Sequence, residues 1–378
     1  MLLLNISRSL KKIPEIDGVV VGEGEIPTLK IMKGDLRYLA TRNNFSPLTA
    51  FIENLDTLPF PYRDDLKGRE HYSVLSSRGC YGRCIFCSVP VFYQGRIRLR
   101  SAKNVVDELE MLVSEYNAKA ISFVDDNFIM GKYGRKRAIE IAREIRRRKI
   151  DLKFIIAARA NDIDRETMKL LKDVGLVGVE IGFESASRTQ LKRYNKGITP
   201  EIAEKAIKIL RELGIRIIPF FINFDPYVTL EEIKDNIKFM IKHDFVTYKN
   251  LSNILYPYPG TPIYYKLKSE GKLLEHDWEY YYEFEDTRVK ELYKTIISSE
   301  FLKIVDFIHE VLQYWTDIGK GDYSEELSFI REQMKQFASR LLNEPRETIV
   351  QLAKDITWEV LSLRGSKRVI KDVLEENI

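Results

Sequence analysis

Between Tyr72 and Tyr258 the chain alternates short apolar runs with amphipathic helical patterns, and this alternation limits its fold more than any other feature. Repeated strand–helix units form a parallel sheet with helices packed on it. Six such units predict an α/β fold, a partial (β/α)6 TIM-like barrel that is short of the closed eight-stranded form. The apolar runs that predict strands are residues 72–75, 120–124, 154–157, 177–183, 215–221 and 251–255.

The regions on either side of these units have different patterns. Residues 1–70 predict a strand, a turn and a short helix, followed by a Pro-rich extended linker. Residues 263–378 predict several helices, for example over 298–316 and 323–342, and show no clear strand signal. The sequence therefore predicts three parts: an N-terminal segment of residues 1–70, a core of residues 71–262, and a helical C-terminal region of residues 263–378.

All three cysteines of the 378-residue chain lie within eight positions, at Cys80, Cys84 and Cys87, spaced C-x3-C-x2-C. An odd number of cysteines in a single motif argues against a disulfide framework and indicates metal ligands. Three thiolates are one fewer than a four-iron cluster takes, so one iron would be open to another ligand. The alternative is a structural zinc site of three cysteines and one histidine, for which His71 is the nearest candidate.

Polar residues follow the predicted strands. They are Asp125, Asp126, Arg159, Glu184 and Asp225, and the first strand leads into the cysteine loop. Because chemistry collects at the carboxyl ends of strands in such folds, these groups predict one shared active face. On the fourth strand Gly178, Glu180, Gly182 and Glu184 alternate with apolar residues, so these two glutamates either face a ligand or pair with basic neighbours.

The cysteine motif, with Phe86 before its last cysteine, resembles the signature of the radical SAM superfamily. Further segments, covering about residues 17–265, resemble the branch with an N-terminal cobalamin-binding domain. The resemblance implies a [4Fe-4S] cluster on the three cysteines, S-adenosylmethionine on the fourth iron, an external electron donor and a 5′-deoxyadenosyl radical. The segments are Asp17-Gly-Val-Val-Val-Gly-Glu-Gly-Glu, Leu55-Asp-Thr-Leu-Pro-Phe-Pro, Asp125-Asp-Asn-Phe, Gly182-Phe-Glu-Ser and Pro257-Tyr-Pro-Gly-Thr-Pro.

The same resemblance implies roles for individual residues. Phe86 would lie near the adenine, and Asp125 and Asp126 would be at the position that contacts the methionyl amino group. A carboxylate there suits an ammonium group. Arg159 would pair with the methionyl carboxylate, and Glu184 would accept from the ribose or the amino group.

The chain departs from this branch at its N-terminus. The branch reaches cobalt through a histidine in Asp-x-His-x-x-Gly, whereas no histidine precedes His71. Residues 1–70 thus resemble only a remnant of the cobalamin-binding domain, and the sequence argues against cobalamin unless a partner supplies the rest or the sequence begins partway through that domain. The expected function is a radical reaction on an unknown substrate. The alternatives are a cobalamin-dependent radical methyltransferase whose cobalamin site is completed elsewhere, and a catalytically silent binding or scaffold protein.

Composition excludes some other classes. The net charge of +4 gives no specific nucleic-acid signal, because such a footprint needs clustered lysine and arginine in excess. No run of about 18 apolar residues predicts a membrane span. Reduced thiols in a single motif indicate a cytoplasmic protein. The absence of further cysteines argues against an auxiliary cluster.

Overall fold

Five parallel strands form the main sheet of this protein, in the order β3-β6-β7-β8-β9. The structure is a computed structural model that describes residues 10, 13–43, 47–277 and 279–375. Because the spatial order of the strands follows the chain order, each crossover helix packs beside its own pair of strands. The strands are β1 (Val19–Val20), β2 (Leu39–Ala40), β3 (His71–Val74), β4 (Ser77–Arg78), β5 (Arg98–Leu99), β6 (Ala120–Phe123), β7 (Lys153–Ala158), β8 (Leu176–Glu184), β9 (Arg216–Phe221), β10 (Leu274–His276) and β11 (Glu279–Tyr281).

Local capping signals mark the ends of several helices. For example, the Ser101 side chain accepts from the Asn104 N–H at the start of α3, and Asn117 ends that helix with φ +54°. The α-helices are α1 (Glu25–Met32), α2 (Val89–Phe92), α3 (Ala102–Tyr116), α4 (Gly131–Arg148), α5 (Arg165–Lys172), α6 (Arg188–Arg193), α7 (Pro200–Glu212), α8 (Leu230–Lys242), α9 (Tyr248–Ser252), α10 (Pro262–Ser269), α11 (Thr287–Ile297), α12 (Leu302–Asp317), α13 (Ser324–Arg340), α14 (Arg346–Ser362) and α15 (Arg364–Glu375).

The side chains of β8 alternate between the two faces of the sheet, and one of these faces packs in the core. Val179, Ile181 and Phe183 are fully buried among the side chains of the helices. Glu180 and Gly182 point to the other face, as a period of two requires. The sequence prediction of an α/β fold with a parallel, partial TIM-like barrel is therefore confirmed. One contiguous core runs from Tyr72 to Val369, so the C-terminal helices pack on the same core as the sheet.

The predicted sixth strand over residues 251–255 is wrong. α9 covers residues 251 and 252, and the Thr247 side chain caps this helix by accepting from the Asn250 N–H. Only an isolated parallel bridge between Phe224 and Ile254 continues the sheet. A short apolar run does not distinguish a strand from a helix, and here the cap decides.

The expectation that only helices follow residue 263 is also wrong. β10 and β11 form an antiparallel hairpin, in which Leu274 pairs with Tyr281 and His276 pairs with Glu279. The remaining secondary structure of that region is helical, as the sequence predicts. Among the helices of the described residues, none is long and apolar enough to cross a bilayer.

Thr229 begins α8 with a complete capping box. Its hydroxyl accepts from the Glu232 N–H at 3.3 Å, and the Glu232 carboxylate accepts from the Thr229 N–H at 3.0 Å. We expect Thr229→Ala to lower the free energy of unfolding by about 1 kcal/mol, because an N–H at the helix end loses its acceptor. Thr229→Ser keeps the acceptor and should unfold close to wild type in urea. Equal midpoints for the alanine and serine variants would contradict this role.

His309, on α12, gives the protein a pH-dependent stability. Burial, together with the guanidinium groups of Arg331 and Arg216, lowers its pKa from 6.5 to about 4. Between pH 6.5 and about 4 the imidazole is therefore protonated in the unfolded chain but neutral in the folded protein. The free energy of unfolding falls as the pH falls through this range. We expect wild type to lose about 1 kcal/mol more than His309→Asn between pH 7 and pH 5, allowing for partial solvent screening.

Denaturant unfolding at both pH values measures this difference. Asp306, on the same helix, titrates in an overlapping range because burial raises its pKa to about 6. That carboxyl is common to both proteins, so its contribution cancels in the comparison. Parallel stability curves for wild type and His309→Asn would show that His309 is not the responsible group.

Candidate active site

The cysteine loop leaves the sheet beyond the carboxyl end of β3. β4 leads into the loop and β5 returns from it, and the two strands pair antiparallel with Arg78 opposite Arg98. Cys84 is buried, Cys80 and Cys87 are partly buried, and all three thiols are free. The structure thus places every thiol of the chain in one loop at the predicted active face.

The surroundings of these thiols favour metal coordination. Burial raises the pKa of Cys80, and it raises the pKa of Cys87 to about 11. The Gly82 N–H donates to the Cys80 sulfur at 3.4 Å. A desolvated thiolate is unfavourable unless a cation lies beside it, and a bound metal deprotonates a coordinating thiol outright. The donor set therefore fits an iron–sulfur cluster.

Arg159 follows β7 and lies against the loop. Its Nη1 is 3.5 Å from the Cys84 sulfur, and its other terminal nitrogen donates to the Lys196 carbonyl. The guanidinium lies 5.4 Å from the centre of the Tyr81 ring. A Cβ on residue 82 would be 2.5 Å from Arg159 Nη1, so Gly82 is needed for this approach. A cation held beside the cysteines partly offsets the negative charge of three thiolates.

Residues 194–196 hold the other side of the loop. The Ile85 N–H donates to the Tyr194 carbonyl at 3.0 Å, and the Asn195 amide donates to the Arg83 carbonyl at 2.9 Å. Phe86 packs edge-on against Tyr194 with ring centres 5.4 Å apart. Phe86 is therefore fixed within the cysteine loop, while its contact with an adenine stays a prediction.

The two adjacent aspartates have different surroundings. Asp125 is buried and accepts from the hydroxyls of Ser76 and Ser77, and burial raises its pKa although Arg137 opposes that shift. Asp126 is exposed on one side and accepts from the Gly79 N–H at 3.2 Å. The structure thus brings Asp126 to the cysteine loop, whereas Asp125 is engaged beneath it.

Glu184 ends β8 in a left-handed conformation, with φ +65°. Its carboxylate is buried and lies 2.8 Å from the Lys196 Nζ. A Cβ on residue 182 would be 2.3 Å from the Glu184 carboxylate, so Gly182 makes room for this side chain. The basic partner comes from the loop after β8. Glu180 lies near basic residues, as expected if it pairs with them. Burial raises its pKa, and the positive charges of Lys249 and Arg216 oppose that rise.

Several residues that support the site were not predicted. Lys196 links the predicted residues, because its carbonyl accepts from Arg159 and its ammonium pairs with Glu184. The Tyr81 hydroxyl donates to the Asp162 carboxylate at 2.8 Å, and the Asn127 amide donates to the same carboxylate at 2.8 Å. The positive φ of Gly197 is compatible with a tight turn, but no sequence pattern marks Lys196 itself.

Asp225 belongs to the support of the loop and is fully engaged. It is 1% exposed and accepts from the Tyr194 hydroxyl at 2.8 Å and from Arg193 at 3.0 Å. Its other oxygen accepts from the Tyr227 N–H at 2.9 Å, an arrangement typical of a turn.

The zinc alternative does not match the position of His71. This residue begins β3, at the end of the sheet opposite the cysteine loop, and its Nε2 lies 2.8 Å from the Ser122 hydroxyl. Among the described residues, no three His, Cys, Asp or Glu side chains are grouped to hold a single ion. Ligands of a four-iron cluster bind different irons, so the three cysteines need not converge on one point.

The N-terminal segment does not fit cobalamin. No histidine precedes His71 in the sequence. Within the part of residues 1–70 that the structure describes, β1 pairs only with β2. The chain therefore has no histidine before residue 71 that could reach cobalt as the branch does.

Comparisons with known proteins show which family this chain resembles. Residues 74–240 match the family model described as the radical SAM superfamily. A protein of Pyrococcus horikoshii, named an uncharacterized methyltransferase, is 32% identical over 292 residues, which are 72% of this chain and 62% of that protein. An anaerobic magnesium-protoporphyrin IX monomethyl ester cyclase of Rubrivivax gelatinosus is 30% identical over 233 residues, covering 54% of this chain and 41% of the relative. The chain thus spans less than two thirds of these relatives.

A solved structure shares the fold. The cobalamin-dependent S-adenosylmethionine radical enzyme OxsB, with aqua-cobalamin and S-adenosylmethionine bound, superposes with a TM-score of 0.72 at 19% identity. The match covers 99% of this chain and 67% of OxsB. Together with the cysteine loop on the edge of a parallel sheet, the family match identifies residues 74–240 of this chain as a radical SAM domain.

Proposed function

We propose that this chain is a radical SAM enzyme that reductively cleaves S-adenosylmethionine and abstracts hydrogen from a substrate not yet identified. The observation that carries the proposal is the loop of three free thiols beside Arg159 at the carboxyl edge of the sheet. When bound, the cluster supplies the electron that splits the sulfonium bond, giving methionine and a 5′-deoxyadenosyl radical. An external donor would supply that electron.

The chain's own residues hold and orient these groups. Cys80, Cys84 and Cys87 would each bind one iron and leave the fourth open. Arg159 places a positive charge at the Cys84 sulfur. Asp126 would accept from the methionyl ammonium, since its carboxylate is accessible at the loop. Asp125 holds the loop from below through its contacts with two serines.

Phe86, Arg159 and Glu184 complete the proposed cofactor site. Phe86 would contact the adenine with the ring face that Tyr194 leaves uncovered, because Tyr194 packs edge-on. Arg159 would pair with the methionyl carboxylate, and its Nε is buried without a hydrogen-bond partner in the described structure. Glu184 would accept from the ribose, with Lys196 holding its carboxylate in place.

Anaerobic reconstitution with iron, sulfide and dithionite tests the proposal. We expect close to four irons per chain and the formation of 5′-deoxyadenosine when S-adenosylmethionine is added. A catalytically silent protein of the same fold would form no 5′-deoxyadenosine. If the reconstituted chain holds no iron and yields no 5′-deoxyadenosine, the proposed function fails.

Methyl transfer is the second candidate, and the identity with the Pyrococcus horikoshii relative favours it. A methyl group given up by S-adenosylmethionine leaves S-adenosylhomocysteine, whereas reductive cleavage leaves 5′-deoxyadenosine and methionine. Detection of S-adenosylhomocysteine by mass spectrometry therefore supports methyl transfer, and 5′-deoxyadenosine without it supports the first candidate. Release of S-adenosylhomocysteine only when cobalamin and a partner protein are added would support a methyltransferase whose cobalamin site is completed elsewhere.

A further inference from the structure

We propose that Glu23 and Glu25, in the N-terminal segment, are positioning residues that hold the stem of the cysteine loop. The inference rests on the proposed function, because the loop is taken to be the cluster site. It gives a role to the Gly-Glu-Gly-Glu motif of residues 22–25, which none of the proposed cofactor contacts uses.

Glu23 lies between two arginines in the interior. Its carboxylate is 3.0 Å from the Arg78 guanidinium and 2.8 Å from that of Arg98. It also accepts from the Ile52 N–H at 2.8 Å, and only 4% of the residue is exposed. Glu25 pairs with the second terminal nitrogen of Arg78. One buried carboxylate thus pairs with two guanidinium groups, and a second, less buried carboxylate pairs with one of them, so the two negative charges balance the two positive ones.

The two arginines occupy the base of the cysteine loop. Arg78 is the last residue of β4 and Arg98 is the first of β5, and the two are direct partners across this ribbon. The chain between them carries all three cysteines. Like charges directly opposite each other destabilise a pair of strands. Glu23 removes that repulsion, so its charge closes the loop at its stem.

The ion pairs of Glu23 with Arg78 and Arg98 fix the geometry of the loop stem more than they add to the stability of the fold. Desolvation of buried ions offsets much of their attraction, so such clusters contribute little net stability when intact. Removing Glu23 leaves Arg98 without a carboxylate partner and leaves Arg78 with Glu25 alone. Without Glu23, Arg78 and Arg98 should move apart towards solvent and carry the two ends of the loop with them.

The chain offers a matched control. Glu108 is also buried between two arginines, Arg63 at 2.7 Å and Arg100. Those arginines donate to the carbonyls of Ser73 and Leu75, which precede the loop. Glu108→Gln therefore removes the same kind of buried charge next to the stem of the loop, and Glu108 has no ion pair with Arg78 or Arg98.

The test uses the three thiols as a reporter, because all of them lie in the loop. In the full-length, reduced and iron-free protein, we expect the thiols of Glu23→Gln to react with a disulfide reagent such as DTNB about tenfold faster than those of Glu108→Gln at similar melting temperature. After reconstitution, Glu23→Gln should release iron to an anaerobic chelator about tenfold faster than the control. Glu25→Gln, whose carboxylate is partly exposed, should show about threefold effects.

Equal thiol reactivity in Glu23→Gln and Glu108→Gln would overturn the proposal. If Glu23→Gln does not fold, unchanged thiol reactivity of Glu25→Gln relative to wild type has the same consequence. These rates are measured without iron, so they decide the proposal even if wild type fails to bind a cluster. That failure would remove the proposed function alone.

Discussion

Cys84→Ala should abolish the formation of 5′-deoxyadenosine, with a loss of at least a hundredfold relative to wild type. Cys84 is the most buried of the three thiols and lies 3.5 Å from Arg159. Its removal leaves two protein ligands for a cluster that needs three, and it leaves the Arg159 cation without its sulfur partner. The fold should persist, because deletion of one small side chain costs about 1 kcal/mol. Iron content, the visible absorbance of the cluster and 5′-deoxyadenosine measure the outcome.

Arg83→Ala is the matched control for this prediction. Arg83 is the neighbour of Cys84 in the loop, and its side chain is exposed. Its carbonyl, which accepts from Asn195, is unchanged by the substitution. The control should bind iron as wild type does. Turnover by Cys84→Ala at more than a few per cent of wild type would show that the cluster is held in another way.

Gly79→Ala should cost about 3 kcal/mol or more of the free energy of unfolding and should prevent the cysteine loop from forming normally. Gly79 has φ +93°, and a Cβ there would lie 2.1 Å from the Arg96 carbonyl oxygen. Left-handed backbone costs a residue with a Cβ about 1–2 kcal/mol, and a clash with backbone adds about 1–3 kcal/mol. The Gly79 N–H also donates to Asp126, so the proposed contact with S-adenosylmethionine would move as well.

Gly95→Ala separates the two costs. Gly95 lies in the same loop with φ +72°, and a Cβ there would meet no atom within 4 Å. It should cost only about 1 kcal/mol, from backbone conformation alone. Urea unfolding of the two variants gives the difference, and cluster content after reconstitution should fall in Gly79→Ala while staying near wild type in Gly95→Ala. Similar free energies of unfolding for the two variants would mean that a Cβ at residue 79 does not destabilise the fold by its contact with the Arg96 carbonyl.

The repeated strand–helix units were predictable because their signals are local. Apolar spacing predicts α3, and the capping box at Thr229 predicts α8. The sixth strand was predicted wrongly because a short apolar run fits both a strand and a helix. At residues 251 and 252 the Thr247 cap favours the helix.

The candidate site was predictable only in part, for a different reason. The cysteines are recognised by their number and spacing, and both can be read from the sequence without knowledge of the fold. The separation of Asp125 from Asp126 depends on Ser76, Ser77 and Arg137, which reach Asp125 only after the sheet has formed. Lys196 joins Arg159 to Glu184 from a loop, and loops have no periodicity that assigns a side chain to a face.

The replacement of a sixth strand by α9 also affects how this molecule meets other copies of itself. A sheet that stops at β9 leaves an edge whose backbone groups could template pairing with another chain. Here α9 packs against that strand, and Pro219 lacks the N–H that a strand uses to pair. A closed barrel has no edges to protect, whereas this open one combines a proline and a covering helix. The sheet can therefore remain open at one side without inviting intermolecular β-sheet growth.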